Sequence, residues 1–157
     1  MDSGVEKITI EPAGPEDAPA ILALQRLTYQ SEAETFSDFT IKPLTQSLEE
    51  LRKDFGTKTI FKAVMGSKVI GTVRTLIDKD TCHVKRLMIN PAYQHHGIGR
   101  KLVEHAEKHF SNVKRFEVVT FLESKQNVIF YEGLRFTIFK KEKTPRGHVK
   151  IFMEKHV

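Results

Sequence analysis

The stretch from Arg86 to Phe110 constrains this chain more than any other. An apolar run, Leu87-Met-Ile89, stops at Pro91, a polar loop carries Gly97 and Gly99, and an amphipathic segment begins at once. A strand that ends in such a loop and feeds a helix points to an α/β (α+β) chain. Glycines at that junction let backbone N–H groups approach a ligand without a Cβ in the way, at the positive end of a helix dipole, a geometry suited to phosphate. The other reading is a tight strand-to-helix turn. A Walker A loop is excluded because no Lys-Ser/Thr pair follows, and a dinucleotide fingerprint needs a third small residue where Leu102 stands.

The rest of the chain supplies a regular order of elements. Val5–Glu11 alternates as a strand ended by Pro12, and Pro15 opens a helix whose Ile21, Leu24 and Leu27 are expected to face the core. Tyr29 to Thr40 loses periodicity and reads as a helix end and a loop. Ser47 and Glu50 form a capping-box pattern before Leu48, Leu51 and Phe55, with Gly56 as the stop. Lys58–Met65 and Lys68–Ile77 are strands joined through Gly66-Ser67, and Asp78-Lys-Asp80 turns the chain into a third, Thr81–Ile89. The helix after Gly97 buries Ile98, Leu102, Ala106 and Phe110. Arg115–Leu122 is a strand parallel to the one before that helix, Ser124 caps a helix carrying Val128, Phe130 and Tyr131, and Phe136–Lys141 and His148–Met153 close the chain. The order is β-α-α-β-β-β-α-β-α-β-β.

At 157 residues, with 39% hydrophobic and 29% charged residues, the chain suits one domain over 1–157. No apolar run approaches membrane-spanning length and the first residues lack a signal-peptide pattern, so no membrane partner is expected. Cys82, the only cysteine, allows no internal disulfide and makes a cytoplasmic home the simplest expectation. The net charge of +5 suits an anionic ligand, or solubility alone. Lys140, Lys141, Lys143 and Arg146 cluster near a hairpin without any nucleic-acid-binding signature, so no nucleic-acid partner is expected.

Gln94-His-His-Gly-Ile-Gly99 resembles the Gln/Arg-x-x-Gly-x-Gly/Ala signature of the GNAT superfamily of acetyl-CoA-dependent N-acetyltransferases, and Leu87-x-Ile89-x-Pro91 takes the place of that family's Leu-x-Val-x-Pro. The order of elements resembles the GNAT fold over nearly the whole chain. The resemblance implies acetyl-CoA as co-substrate, no metal, and a small-molecule or peptide amine as acceptor, joined by direct attack in a ternary complex. It also allows a homodimer. The alternative is an acyl-CoA sensor or regulatory module that keeps the groove and has lost turnover.

The same resemblance assigns roles. Backbone N–H groups of His95, His96, Gly97, Ile98, Gly99 and Arg100, with Gln94 at the head of the motif, would bind pyrophosphate, and the strand end at Leu87, Met88 and Ile89 would pair with pantetheine beside a bulge. Leu87 falls where the family donates an N–H to the thioester oxygen. Phe130-Tyr-Glu-Gly-Leu-Arg-Phe136 resembles the family's Phe/Leu-Tyr-x-x-x-Gly-Phe, in which the phenol, here Tyr131, protonates the leaving thiolate. Read alone, Tyr131 fits better as an amphipathic-helix tyrosine with its ring in the core and its hydroxyl at the edge. Arg135 stands where that pattern has glycine. An Asn of the family that contacts CoA is replaced by Ser124, with Asn127 one turn later.

His83, four residues before Leu87, occupies a position where family members carry a proton-relaying Glu or His; it is otherwise an edge histidine. Lys85 would share a face with His83 and Leu87 in a regular strand and would repel a cationic substrate, while Cys82 points away as a buried thiol. Tyr29, Glu32, Glu34 and Phe36 fall where the family borders its acceptor pocket, and the carboxylates there either recruit an ammonium or are solvated surface. His105 and His109 have i,i+4 spacing, but no third metal ligand can be named.

Overall fold

The computed structural model describes residues 7–36 and 41–157. Its strands are β1 (Ile8–Pro12), β2 (Thr59–Met65), β3 (Lys68–Asp78), β4 (Thr81–Ile89), β5 (Arg115–Phe121), β6 (Thr137–Lys143) and β7 (Val149–His156). The helices are α1 (Ala18–Phe36), α2 (Lys42–Thr45), α3 (Leu48–Asp54), α4 (Ile98–His109) and α5 (Lys125–Gly133). The strands form one mixed sheet in the order β1-β2-β3-β4-β5-β7-β6. This is the anticipated order with the short helix α2 added.

The chain divides into two compact units, one containing residues up to Arg74 with Arg86–Ala106, the other Thr75–Lys85 with Glu107–Val157. In the first, β1 pairs antiparallel with β2, from Ile8 opposite Met65 to Pro12 opposite Phe61. Pro12 is tolerated at the end of β1 because that strand lies at the sheet's edge. A 3-10 turn at Pro15–Asp17 precedes α1, where the Gly14 N–H donates to Asp17 Oδ2 at 2.9 Å. Ala18, Ile21, Leu22, Leu24, Leu51, Ile60 and Met88 then pack as one apolar cluster. The capping box before α3 forms as its sequence indicates: the Glu50 N–H donates to Ser47 Oγ at 3.1 Å and the Ser47 N–H to Glu50 Oε1 at 2.8 Å.

Two expectations for α1 are corrected. Leu27 is 52% exposed and does not face the core. Its place on the buried face is taken by Gln25, whose amide finds polar partners there. The helix also continues past Tyr29 to Phe36. The start of the expected first strand at Val5 and the loop residues 37–40 lie outside the described residues.

The β3–β4 hairpin contains the irregularity that shapes β4. Asp78 and Thr81 flank a two-residue turn, which puts Arg74 opposite Lys85 by simple counting. At the far end the Asn90 N–H donates to Ile70 O at 2.8 Å and Gly71 lies against Met88 O and Ile89, which puts Arg74 opposite Arg86. β4 therefore gains one residue at Lys85–Arg86, and Arg86 there has a φ of 50°. The extra residue switches the faces of everything after it. Lys85 keeps the face of His83 but Leu87 does not share it, so the face expected for those three residues in a regular strand is not realised. Gly71 is required by packing, since a Cβ would come within 2.9 Å of the Ile89 side chain and 3.3 Å of Leu102.

In the second unit β4 and β5 are parallel over three pairs, Thr81 with Arg115, Cys82 with Phe116 and His83 with Glu117. β5 is antiparallel to β7 from Arg115 opposite His156 to Phe121 opposite Lys150, and β6 is antiparallel to β7 with a register shift between Ile138 and Lys140. Cys82 is buried, and burial together with the Glu107 carboxylate pushes its thiol up to about 12, so it is an inert core group.

Candidate functional site

The polar loop after β4 is fastened at its start. Asn90 Oδ1 accepts from the Ala92 N–H at 3.0 Å over the turn Pro91–Tyr93, and Gln94 Nε2 donates back to Ile89 O at 3.5 Å. His95 and Gly97 then adopt φ values of 68° and 77°, and the Lys101 N–H donates to Gly97 O at 3.1 Å to begin α4. Helix geometry leaves the N–H groups of Ile98, Gly99 and Arg100 without acceptors inside α4. The Ile98 side chain is buried, whereas His95, His96, Gly97 and Arg100 are exposed, and a Cβ on Gly97 would meet nothing within 4 Å. Amides at a helix N-terminus beside open space fit a diphosphate.

Just before this loop, Met88 turns its side chain into the apolar cluster while Leu87 and Ile89 are half-buried.

In the second unit, His83 Nδ1 faces Glu117 Oε2 at 3.5 Å across the parallel ladder. Glu117 is held by Arg115, whose Nη2 donates to Glu117 Oε1 at 2.7 Å and whose Nε donates to Glu154 Oε1 at 2.6 Å. Sequence reasoning missed Glu117 and Arg115. Their alternate positions on a strand parallel to the His83 strand were the available signal. Lys85 is exposed.

Tyr131 is 8% exposed on α5, its ring edge-on to Phe130 at 5.1 Å and to Phe136 at 5.7 Å between centroids. The chain leaves α5 through Arg135 at a φ of 74°, so Arg135 takes the left-handed conformation that glycine provides in the family pattern. The Phe136 N–H donates to Tyr131 O at 3.0 Å and closes that exit. Ser124 stands at the N-cap as expected, but its hydroxyl makes no capping bond; its carbonyl accepts from the Asn127 and Val128 N–H groups at 3.0 and 3.1 Å. Asn127 Nδ2 reaches Thr120 Oγ1 at 3.4 Å.

Back in the first unit, Tyr29 packs half-buried against the apolar cluster and Glu34 is exposed; the side chains of Glu32 and Phe36 lie outside the described residues. A polar cluster missed at the level of sequence lies under α1. Arg74, 1% exposed, bonds Gln25 Oε1 through Nη2, Asp54 Oδ2 at 3.2 Å and Gln46 Oε1 at 3.3 Å. Gln25 Nε2 donates to Gln46 Oε1 at 3.0 Å and to Pro43 O at 2.7 Å. The signal was Arg74 itself, the one charge in the run Val69–Ile77.

His105 packs edge-on against Phe61 at 4.9 Å and His109 against Phe110 at 4.7 Å. Among the described residues no group of three His, Cys, Asp or Glu could hold a metal ion, and no helix is long and apolar enough to cross a membrane.

Residues 24–157 match the family model described as an acetyltransferase (GNAT) domain. The chain belongs to the GNAT family. Its fold is shared by solved structures of low sequence identity. The PaiA N-acetyltransferase from Thermoplasma acidophilum, solved in complex with coenzyme A, superposes with a TM-score of 0.78 at 22% identity, over 96% of this chain and 99% of that one. The ribosomal-protein-S18-alanine N-acetyltransferase from Escherichia coli gives 0.79 at 19% identity, over 96% and 94%. A probable acetyltransferase from Staphylococcus epidermidis gives 0.81 at 11% identity, over 96% and 99%. No curated protein matches the sequence.

Proposed function

We propose that this GNAT protein is a single-domain N-acetyltransferase that moves an acetyl group from acetyl-CoA to an amine by direct attack within a ternary complex. The observation that carries the reading is the bend at Gly97, exposed, at a φ of 77° and with open space where a Cβ would stand, directly before the first amides of α4. Family membership supports it, as does the coenzyme A held by the Thermoplasma relative.

In this reading the amides of His95 to Arg100 hold the diphosphate, Gln94 keeps the bend tied to β4, and the backbone of Leu87 to Ile89 lines up the pantetheine arm. Ser124 and Asn127 add polar contacts to CoA from the start of α5. Bound acetyl-CoA supplies the electrophilic thioester carbonyl. Positioning of that carbonyl against the amine is the largest contribution, about 7 to 11 kcal/mol for well-aligned partners. The Leu87 N–H donates to the oxygen on which charge develops, a donor typically worth about 3 to 4 kcal/mol.

His83 accepts the proton lost by the amine. Glu117 faces Nδ1, which directs Nε2 as the accepting nitrogen. Removing a proton from a lysine-like amine at neutral pH costs about 4 to 5 kcal/mol, so a poised base matters. Tyr131 donates its phenolic proton to the departing thiolate as general acid. Tyr29, Glu32, Glu34, Phe36 and Lys85 border the acceptor.

Release of free CoA thiol over a panel of amines tests this. The wild type is expected to release thiol with at least one amine. Tyr131→Phe should cut kcat by about 10²-fold, the size of a general-acid contribution, with CoA affinity unchanged. His83→Ala should abolish the acidic limb of the pH–rate profile. Tight CoA binding with no thiol release from any amine would instead mark a CoA sensor.

A further inference from the structure

Arg86 is the residue at which β4 is deformed. A non-glycine residue at a φ of 50° inside a strand is strained, and such strain persists where the surroundings impose it. The bulge places Arg86 opposite Arg74, and both belong to the same compact unit. Arg86 is half-buried and makes no hydrogen bond or ion pair among the described residues.

Among the described residues the charges around it do not balance. Asp54 is the carboxylate that Arg74 and Lys58 share, at 3.2 and 3.1 Å, and Arg86 adds a third cation. Burial and the charge of Arg86 push Arg74 down to about 10, against the opposing pull of Asp54 and Tyr29. Arg74 is thus still a cation at neutral pH. Among the described residues two buried polar atoms also lack partners, Arg74 Nε and Thr72 Oγ1, two residues apart on one face of β3. A half-buried guanidinium with no counter-charge among the described residues, beside a buried one with an unused donor, is costly unless an anion completes it.

We propose that the amine acceptor also carries a carboxylate, and that Arg86 binds this carboxylate through its guanidinium fork while Arg74, fixed by Gln25, Gln46 and Asp54, holds the bulge that presents it. The inference rests on the acetyl-transfer reading and names its substrate class: an amino acid or a molecule ending as one, and not a simple polyamine. Arg86 directly precedes Leu87, the proposed oxyanion donor. The planar fork of arginine matches a carboxylate in two parallel hydrogen bonds, which lysine cannot reproduce.

The test compares α- and ω-amino acids with alkylamines of the same chain length, as acceptors with acetyl-CoA and as ligands that raise the melting temperature of the CoA-loaded protein. The wild type should favour the best amino acid over its matched alkylamine by about tenfold or more in kcat/KM, the size of one charged hydrogen bond. Arg86→Ala and Arg86→Gly should erase that preference mainly through KM and leave CoA affinity unchanged; the glycine variant fits the observed φ and guards against a folding defect. Equal use of alkylamines by the wild type, or an equal loss for both classes in the variants, overturns the proposal. If no amine is acetylated the acetyl-transfer reading fails, and the melting data then decide alone. Stabilisation by amino acids that depends on Arg86 sustains the carboxylate site, and its absence overturns it.

Discussion

Arg135 shows how one residue can depart from a family pattern and still keep the geometry. An L-residue in the left-handed region costs about 1 to 2 kcal/mol, and Arg135 bears that cost at a φ of 74° so that Phe136 can close on Tyr131 O. Arg135→Gly removes the strain but adds freedom to the unfolded chain. We expect a net gain of about 0.5 to 1 kcal/mol, read as a higher urea midpoint with kcat unchanged. A lower midpoint would mean that the arginine side chain has a stabilising role of its own. Gly133, two residues before that position, lies inside α5 and does not make the turn. The letter G was missing from the expected position, but the backbone conformation that glycine serves was not.

At the scale of elements, the strand-loop-helix unit from β4 to α4 was legible because each part has a local cause. Pro91 stops the strand, Gly97 turns at positive φ, and Ile98, Leu102 and Ala106 give α4 its buried face. Gly97→Ala should cost stability of about 1 kcal/mol from the strained φ. It should also weaken CoA binding by about tenfold, because the new methyl enters the space before the amides. Calorimetry with CoA measures this, and unchanged affinity would place the diphosphate elsewhere. The bulge in β4 followed from family resemblance and not from any local signal. No glycine or proline marks Lys85–Arg86, and the extra residue emerges only when both ends of the β3–β4 hairpin are counted. That one-residue slip separates Leu87 from the face of Lys85 and sets Arg86 against Arg74.

Across the whole molecule, acid should act first through the carboxylates that anchor α3. Burial raises Asp54, but hydrogen bonds from Gln46 and Lys58 and the charges of Lys58 and Arg74 outweigh it and leave its carboxyl below the usual range. Lys42 and Ser47 lower Glu50 to about 2. A carboxyl depressed in the folded state contributes stability above its unfolded pKa and loses it as pH falls through the folded value. The melting temperature should therefore fall as pH drops below about 4, where unfolded carboxylates begin to protonate. Asp54→Asn should flatten that fall and lower stability at neutral pH, where Arg74 loses its counter-charge; an acid limb as steep as in the wild type would remove Asp54 from this role. The sequence by itself determined the order of strands and of every helix but the short α2, the capping box at Ser47 and the glycine bend, because periodicity, caps and turns are written in neighbouring residues. Tertiary structure alone decided that Leu27 faces solvent, that Gln25 and Arg74 meet beneath α1, that Glu117 faces His83, and that β4 slips at Arg86. Each of these joins residues distant in the chain, and such meetings depend on which surfaces pack together and not on any local pattern of letters.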